Sequence, residues 1–182
     1  MAKYLNDSSV LEIINSVEKI IEIRNVIYKN HEIDILETDT ISLTKFFGII
    51  RSIDPNYNCN YSRNGEDGKT LFDNKEIKIE TKTSKINKGK ASFAFHAKGL
   101  INHDLYIFNV WHKENLTPLR TYYVRTPTNV KKLNDTLQNL SEEWQRKPAT
   151  KAGYDVIRIH ENLLESMIEK TETVNGCKVH YL

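Results

Sequence analysis

Apolar residues recur at intervals of three and four through Val10, Ile13, Ile14, Val17, Ile20 and Ile21, the period of an amphipathic helix. Asp7, Ser8 and Ser9 stand just before this run and can cap it, and Val26 with Ile27 prolongs the stripe, so a first helix is expected to about Tyr28. Thr40 or Ser42 opens a second amphipathic segment through Leu43, Phe46, Phe47 and Ile50, which stops before Asp54-Pro55. Residues 56–68, rich in Asn, Ser and Gly, read as a loop. The period then changes from helical to alternating. Glu76-Ile77-Lys78-Ile79-Glu80-Thr81-Lys82-Thr83 sets Ile77, Ile79, Thr81 and Thr83 on one face and four charges on the other, a strand with one buried face. Thr70-Leu71-Phe72 is its expected hairpin partner across an Asp73-Asn74 turn.

Further strands are expected over residues 92–96, 105–111, 119–125 and 155–159, with helices over 130–144 and 161–168. The pattern predicts an α/β or α+β fold, a mixed sheet of about five strands flanked by helices. At 182 residues and 39% hydrophobic composition the chain suits one domain, 1–182. Within it, 1–30 is helical and a candidate dimerisation element, 31–126 the core, and 127–182 a helix-strand-helix. Cys59 and Cys177 have no metal-ligand spacing and read as free thiols. With no apolar signal core near the start and no run of about 18 apolar residues, a soluble, cytoplasmic protein is expected.

The net charge of +2 implies no overall electrostatic grip on nucleic acid, but charge is unevenly placed. Lysines 78, 82, 85, 88 and 90 surround a single acid, Glu80. Because residues two apart on a strand share a face, Glu80 and Lys82 are expected side by side. Asp67 lies 13 residues before Glu80, far enough to return along an adjacent strand and add a second carboxylate. Two carboxylates offer oxygen ligands to a hard divalent cation, and a neighbouring ammonium can orient a water; together they suit phosphodiester hydrolysis. Asp73 competes with Asp67 as first acid, and Glu76-Ile77-Lys78 is a rival pair nearer the hairpin turn. A histidine at a strand end is ordinarily a structural residue, and His103, His112, His160 and His180 are read that way, with no spacing for zinc. Trp111 and Trp144 fit core or interface positions, and Tyr122-Tyr123-Val124-Arg125 a core strand with Arg125 at its edge.

Gly65-Glu66-Asp67, Asp73-Asn74, Glu80-Thr81-Lys82 and the later strand Lys90-Ala91-Ser92-Phe93-Ala94-Phe95-His96 stand in an order that resembles type II restriction endonucleases of the PD-(D/E)XK nuclease superfamily. The likeness spans roughly residues 31–126 and includes the interval from Glu80 to His96. It departs in carrying Glu66 where the family usually has proline, in a longer interval from Asp67 to Glu80, and in Ala97 where a second histidine is expected. Lys147-Pro148-Ala149-Thr150-Lys151 offers no counterpart to a base-reading asparagine.

The resemblance implies a restriction-endonuclease-like fold and Mg²⁺-dependent cleavage of double-stranded DNA that leaves 5′-phosphate ends. It implies Asp67, Glu80 and Lys82 as catalytic residues, with Asp67, Glu80 and the Thr81 carbonyl as metal ligands. Ser92 and His96 are implied at base edges in the major groove, Asp39 on the minor-groove side, and Lys85, Lys88 and Lys90 on phosphates. A symmetric homodimer suits a palindromic site. The alternatives are a repair or junction-resolving nuclease of the same fold and a DNA-binding module without catalysis.

Overall fold

The computed structural model describes Asn15, Lys19, Glu22, Val26 and Asn30, all helical, and residues 58–59, 67–72, 75–114, 118–146, 155–174 and 176–182. The expected second helix over residues 40–50, Asp39 and the Asp73-Asn74 turn lie outside the described residues. On the first helix, Val26 is 57% exposed, so the stripe does not bury it in the core.

The long alternating run forms the organising strand. Strands β1 (Asn58–Cys59) and β2 (Gly68–Phe72) precede β3 (Lys75–Ile86), which pairs antiparallel with β2 from Phe72↔Lys75 to Gly68↔Ile79. On its other edge β3 runs parallel to β5 (Leu105–His112), from Ile79↔Leu105 to Ile86↔His112. A parallel pair needs a crossover, and the chain makes it through β4 (Ser92–His96). Next come β6 (Pro118–Val124), helix α1 (Pro127–Arg146), β7 (Val156–His160), the short helix α2 (Glu161–Glu165), β8 (Lys170–Val174) and β9 (Cys177–Tyr181). The main sheet has the order β1-β2-β3-β5-β6-β9-β8, with parallel and antiparallel pairs, so the mixed α/β character read from the sequence is observed. β4 stands apart, pairing only with β7 in a two-stranded ribbon.

The inner face of this ribbon closes the core. Phe93 and Phe95 alternate inward from β4, Ile157 and Ile159 from β7, all at most 6% exposed. Phe93 packs on Phe108 at 4.8 Å between ring centroids, and Phe95 lies 6.2 Å from Phe108 and 6.4 Å from Tyr106. Val130, Leu133 and Leu137 of α1 join the same cluster. Each such ring taken from water contributes about 1.5–3 kcal/mol, so ribbon and helix are held down by apolar burial.

Two expectations are corrected. β3 does not have one buried face: Ile79, Glu80 and Thr81 are buried in succession, because β2 and β5 flank the strand and the ribbon covers its charged side. Nor does the chain close on a helix over 161–168; α2 ends at Glu165 and the hairpin β8–β9 follows.

Glu161, fully buried at the start of α2, ties these layers together. Its carboxylate accepts hydrogen bonds from the Ala91 amide (2.6 Å), Arg120 Nε (2.5 Å), Arg120 Nη2 (3.1 Å) and the Tyr122 hydroxyl (2.6 Å). Burial alone pushes its carboxyl pKa up; the donors from Arg120, Tyr122 and Ala91 outweigh that and hold it below the usual range. Glu161→Gln keeps the shape but loses the charge-assisted bonds, and is expected to cost about 2 kcal/mol in urea unfolding near neutral pH. An unchanged midpoint would remove Glu161 as the tie between ribbon and sheet.

Candidate active site

The β2–β3 hairpin brings Asp67 to Glu80. The last β2 pair is Gly68↔Ile79, and the Asp67 amide continues the ladder by donating to the Ile79 carbonyl at 3.0 Å. Two residues further along β3, the Asp67 carboxylate takes the place of backbone: its Oδ2 accepts the Thr81 amide at 2.7 Å. In an extended strand a residue's N–H and C=O point to the same edge, so the Thr81 carbonyl faces the edge that Asp67 occupies. Asp67 and Glu80 are within side-chain hydrogen-bonding reach of each other.

Glu80 and Lys82 share the face of β3 beneath the ribbon. Lys82 Nζ makes an ion pair with Glu80 Oε1 and sits 5.0 Å above the centroid of the Phe95 ring. The lysine side chain keeps 25% of its surface exposed, against 7% for Glu80, so the ammonium is the group that reaches toward solvent. Burial raises the Glu80 pKa to about 7; Lys82 opposes that rise and the nearby Asp67 adds to it. Burial likewise raises Asp67, against the pull of Lys82 and the Thr81 amide. Both carboxyls are therefore harder to ionise here than in water.

Behind Glu80 stands a group that the sequence reading set aside as structural. Parallel pairing puts Tyr106 opposite Glu80, and His103, three residues earlier, is buried beside both. His103 Nε2 lies 3.4 Å from Glu80 Oε2, and its Nδ1 is 3.3 Å from the Tyr106 hydroxyl. Tyr106 donates to Asn134 Oδ1 at 2.6 Å, so its proton is committed and His103 Nδ1 acts as donor to it. Asn134, on α1, also brackets the His103 backbone, accepting its N–H at 3.2 Å and donating to its carbonyl at 2.9 Å. Helix α1 therefore fixes the imidazole against Glu80. Only the β3–β5 parallel pairing reveals this, and nothing near His103 in sequence signals it.

Among the described residues no group of three or more His, Cys, Asp or Glu side chains forms a metal-binding cluster. Two carboxylates and a carbonyl nonetheless match what Mg²⁺ requires, since that ion keeps several waters and takes one or two protein carboxylates. Glu80 Oε2 is the observation that bears on fit: it is buried and accepts no hydrogen bond from a described residue. A buried carboxylate oxygen left in this way is costly unless a proton or cation meets it.

The other expected site residues are dispersed. Glu76 is exposed and Lys78 hydrogen-bonds through its backbone to Asp104, its N–H to Oδ2 at 2.9 Å and its carbonyl to the Asp104 N–H at 2.9 Å; the rival pair stays at the hairpin end of the strand. Lys85 is half-buried on β3, Lys88 is exposed in the turn after it, and Lys90 is engaged by Glu165. Ser92 and His96 point outward from β4, away from the core face. His180 is stacked on Tyr122 with ring centroids 4.8 Å apart, a structural position. Comparison with protein-family models, with curated proteins and with solved structures finds no match for this chain. No described helix is long and apolar enough to cross a membrane.

Proposed function

We propose that the chain is a Mg²⁺-dependent endodeoxyribonuclease of the type II restriction class, acting on double-stranded DNA. The observation that carries this reading is the junction of Asp67 and Glu80 beside Lys82, with the Asp67 carboxylate anchored on the Thr81 amide. Asp67, Glu80 and the Thr81 carbonyl would hold the cation. When bound, Mg²⁺ supplies neutralisation of phosphate charge and a more acidic water.

The chain's own groups supply the rest. Lys82, part exposed above Phe95, donates N–H to the attacking water and to charge that develops on the phosphate. His103, held by Tyr106 and Asn134, stands 3.4 Å from Glu80 Oε2 and closes the buried side of the site. In-line attack by water then breaks the P–O3′ bond and leaves 5′-phosphate and 3′-hydroxyl ends. A palindromic duplex site calls for a two-fold dimer, and Val26 offers exposed apolar surface to a second copy.

Digestion of plasmid DNA in Mg²⁺ tests this class. Discrete fragments of reproducible length are expected. Nicking confined to mismatched or branched DNA would instead favour a repair or junction nuclease, and binding without any cut a non-catalytic module.

A further inference from the structure

We propose that Phe95 is a positioning residue for Lys82, its ring face holding the ammonium on the solvent side of the acid pair. This rests on the nuclease reading for the reaction it would serve, although the contact can be read without cleavage. Strand register brings the ring there. Across the β3–β5 pairing Glu80 stands opposite Tyr106 and Lys82 opposite Phe108, and Phe95 packs against both of those rings, with centroids 6.4 and 6.2 Å away. Lys82 Nζ lies 5.0 Å above the Phe95 centroid, within the range of about 6 Å over which an aromatic face attracts a cation.

The chemistry explains why a ring suits this point. A lysine carries its charge on a flexible four-carbon stem, and Asp67 and Glu80 both attract it, so an unsupported ammonium settles between the two carboxyls. There it would neutralise the acids and stand in the place of a cation. The negative face of the Phe95 ring draws the same charge the other way. An ammonium has three N–H donors. One goes to Glu80 Oε1, and an aromatic face holds the charge without competing as a strong acceptor, so a donor is left for a water or a phosphate oxygen.

The ring is itself fixed. Phe95 is 4% exposed and meets Tyr106 and Phe108 at 64° and 62°, so the sheet beneath sets its orientation. β4 pairs with β7 and not with β3, so this second contact of the ammonium comes from a separate layer, seated by apolar packing. Lys82 keeps 25% of its side chain exposed between that ring and a carboxylate exposed by 7%, a partly desolvated position where the attraction exceeds its value at an open surface. Phe93, two residues away on the same inward face, packs on Phe108 at 4.8 Å and is the control for packing alone.

The test replaces Phe95, and separately Phe93, with phenylalanines bearing one, two and three ring fluorines, which nearly keep the ring's shape while draining charge from its face, and adds Phe95→Leu. Single-turnover cleavage in Mg²⁺ is expected to slow in step with fluorination at position 95, to roughly 3- to 30-fold below wild type, with DNA affinity in EDTA and the urea midpoint unchanged. The same series at position 93 leaves the rate unchanged. Without DNA or metal, NMR of isotope-labelled lysine reads the contact itself. The ε-methylene protons of Lys82, assigned by their loss in Lys82→Arg, are expected upfield of their position in the unfolded chain and return toward it in Phe95→Leu. A rate indifferent to fluorination at position 95, equal sensitivity at position 93, or a Lys82 signal that Phe95→Leu does not move overturns the proposal. A wild type that cuts no DNA while its Lys82 signal still depends on Phe95 refutes the nuclease and leaves the contact standing.

Discussion

Glu80→Ala is expected to lower the rate of Mg²⁺-dependent DNA hydrolysis by about 10³-fold or more while DNA binding in EDTA persists. The size follows from position. Glu80 touches every polar member of the site: its Oε1 pairs with Lys82, its Oε2 faces His103 Nε2 at 3.4 Å, and its carboxyl is within hydrogen-bonding reach of Asp67. Removing it takes a ligand from the cation and the ion-pair partner from the lysine in one step. Lys82→Ala removes only the ammonium, so a loss of about 10²- to 10³-fold with metal affinity retained is expected. The two variants are told apart by Mn²⁺ titration: Glu80→Ala weakens metal binding and Lys82→Ala does not. If both variants cut at the wild-type rate, the site lies elsewhere.

Glu80→Gln should make the metal-free protein more stable at pH 8. A folded-state pKa of about 7, above the ordinary 4.5, means that the native state holds the Glu80 proton more tightly than the unfolded chain does. For wild type the contribution is therefore full below about pH 4.5 and is lost as pH rises through about 7. Gln cannot ionise and escapes that loss. The variant should gain little at pH 4.5 and roughly 3 kcal/mol at pH 8, taking 1.36 kcal/mol for each pH unit of displacement. Urea unfolding in EDTA at the two pH values reads this directly, and Mg²⁺ should then stabilise wild type but not Glu80→Gln. A Glu80→Gln protein less stable than wild type at pH 8 would mean that the carboxylate is favourably solvated where it stands. A site that is unfavourable until filled is what a metal-binding carboxyl pair should show.

Much of this site was legible in residue order, for identifiable reasons. Strand alternation put Glu80 and Lys82 on one face, and they form an ion pair there. The 13-residue separation of Asp67 and Glu80 suffices for a hairpin, and the Gly68↔Ile79 register delivers Asp67 to the Thr81 amide. Where alternation misled was burial: a strand cannot show that a ribbon 68 residues apart in its pairing, Ser92 with His160, will cover its charged face. His103 was invisible for a related reason, since its contact with Glu80 comes from parallel pairing of β3 and β5 and from Asn134 on a later helix. The hairpin β8–β9 is a different case. Val174 pairs with Cys177, Gly176 has φ 83°, and Asn-Gly between alternating runs of the sequence is a local turn signal that could have been read. Local periodicity thus carried the strands, and long-range pairing decided what surrounds the acids.

The most direct measurement is single-turnover cleavage of one end-labelled duplex by wild type and by Lys82→Ala purified in parallel, each with Mg²⁺ and with EDTA, followed by analysis of the new ends. Cutting by wild type in Mg²⁺ alone, with 5′-phosphate ends and a rate at least about 10²-fold above Lys82→Ala, is the predicted result. Equal cleavage by the two preparations, or no cleavage by wild type, would contradict the assignment of Asp67, Glu80 and Lys82 as a hydrolytic site.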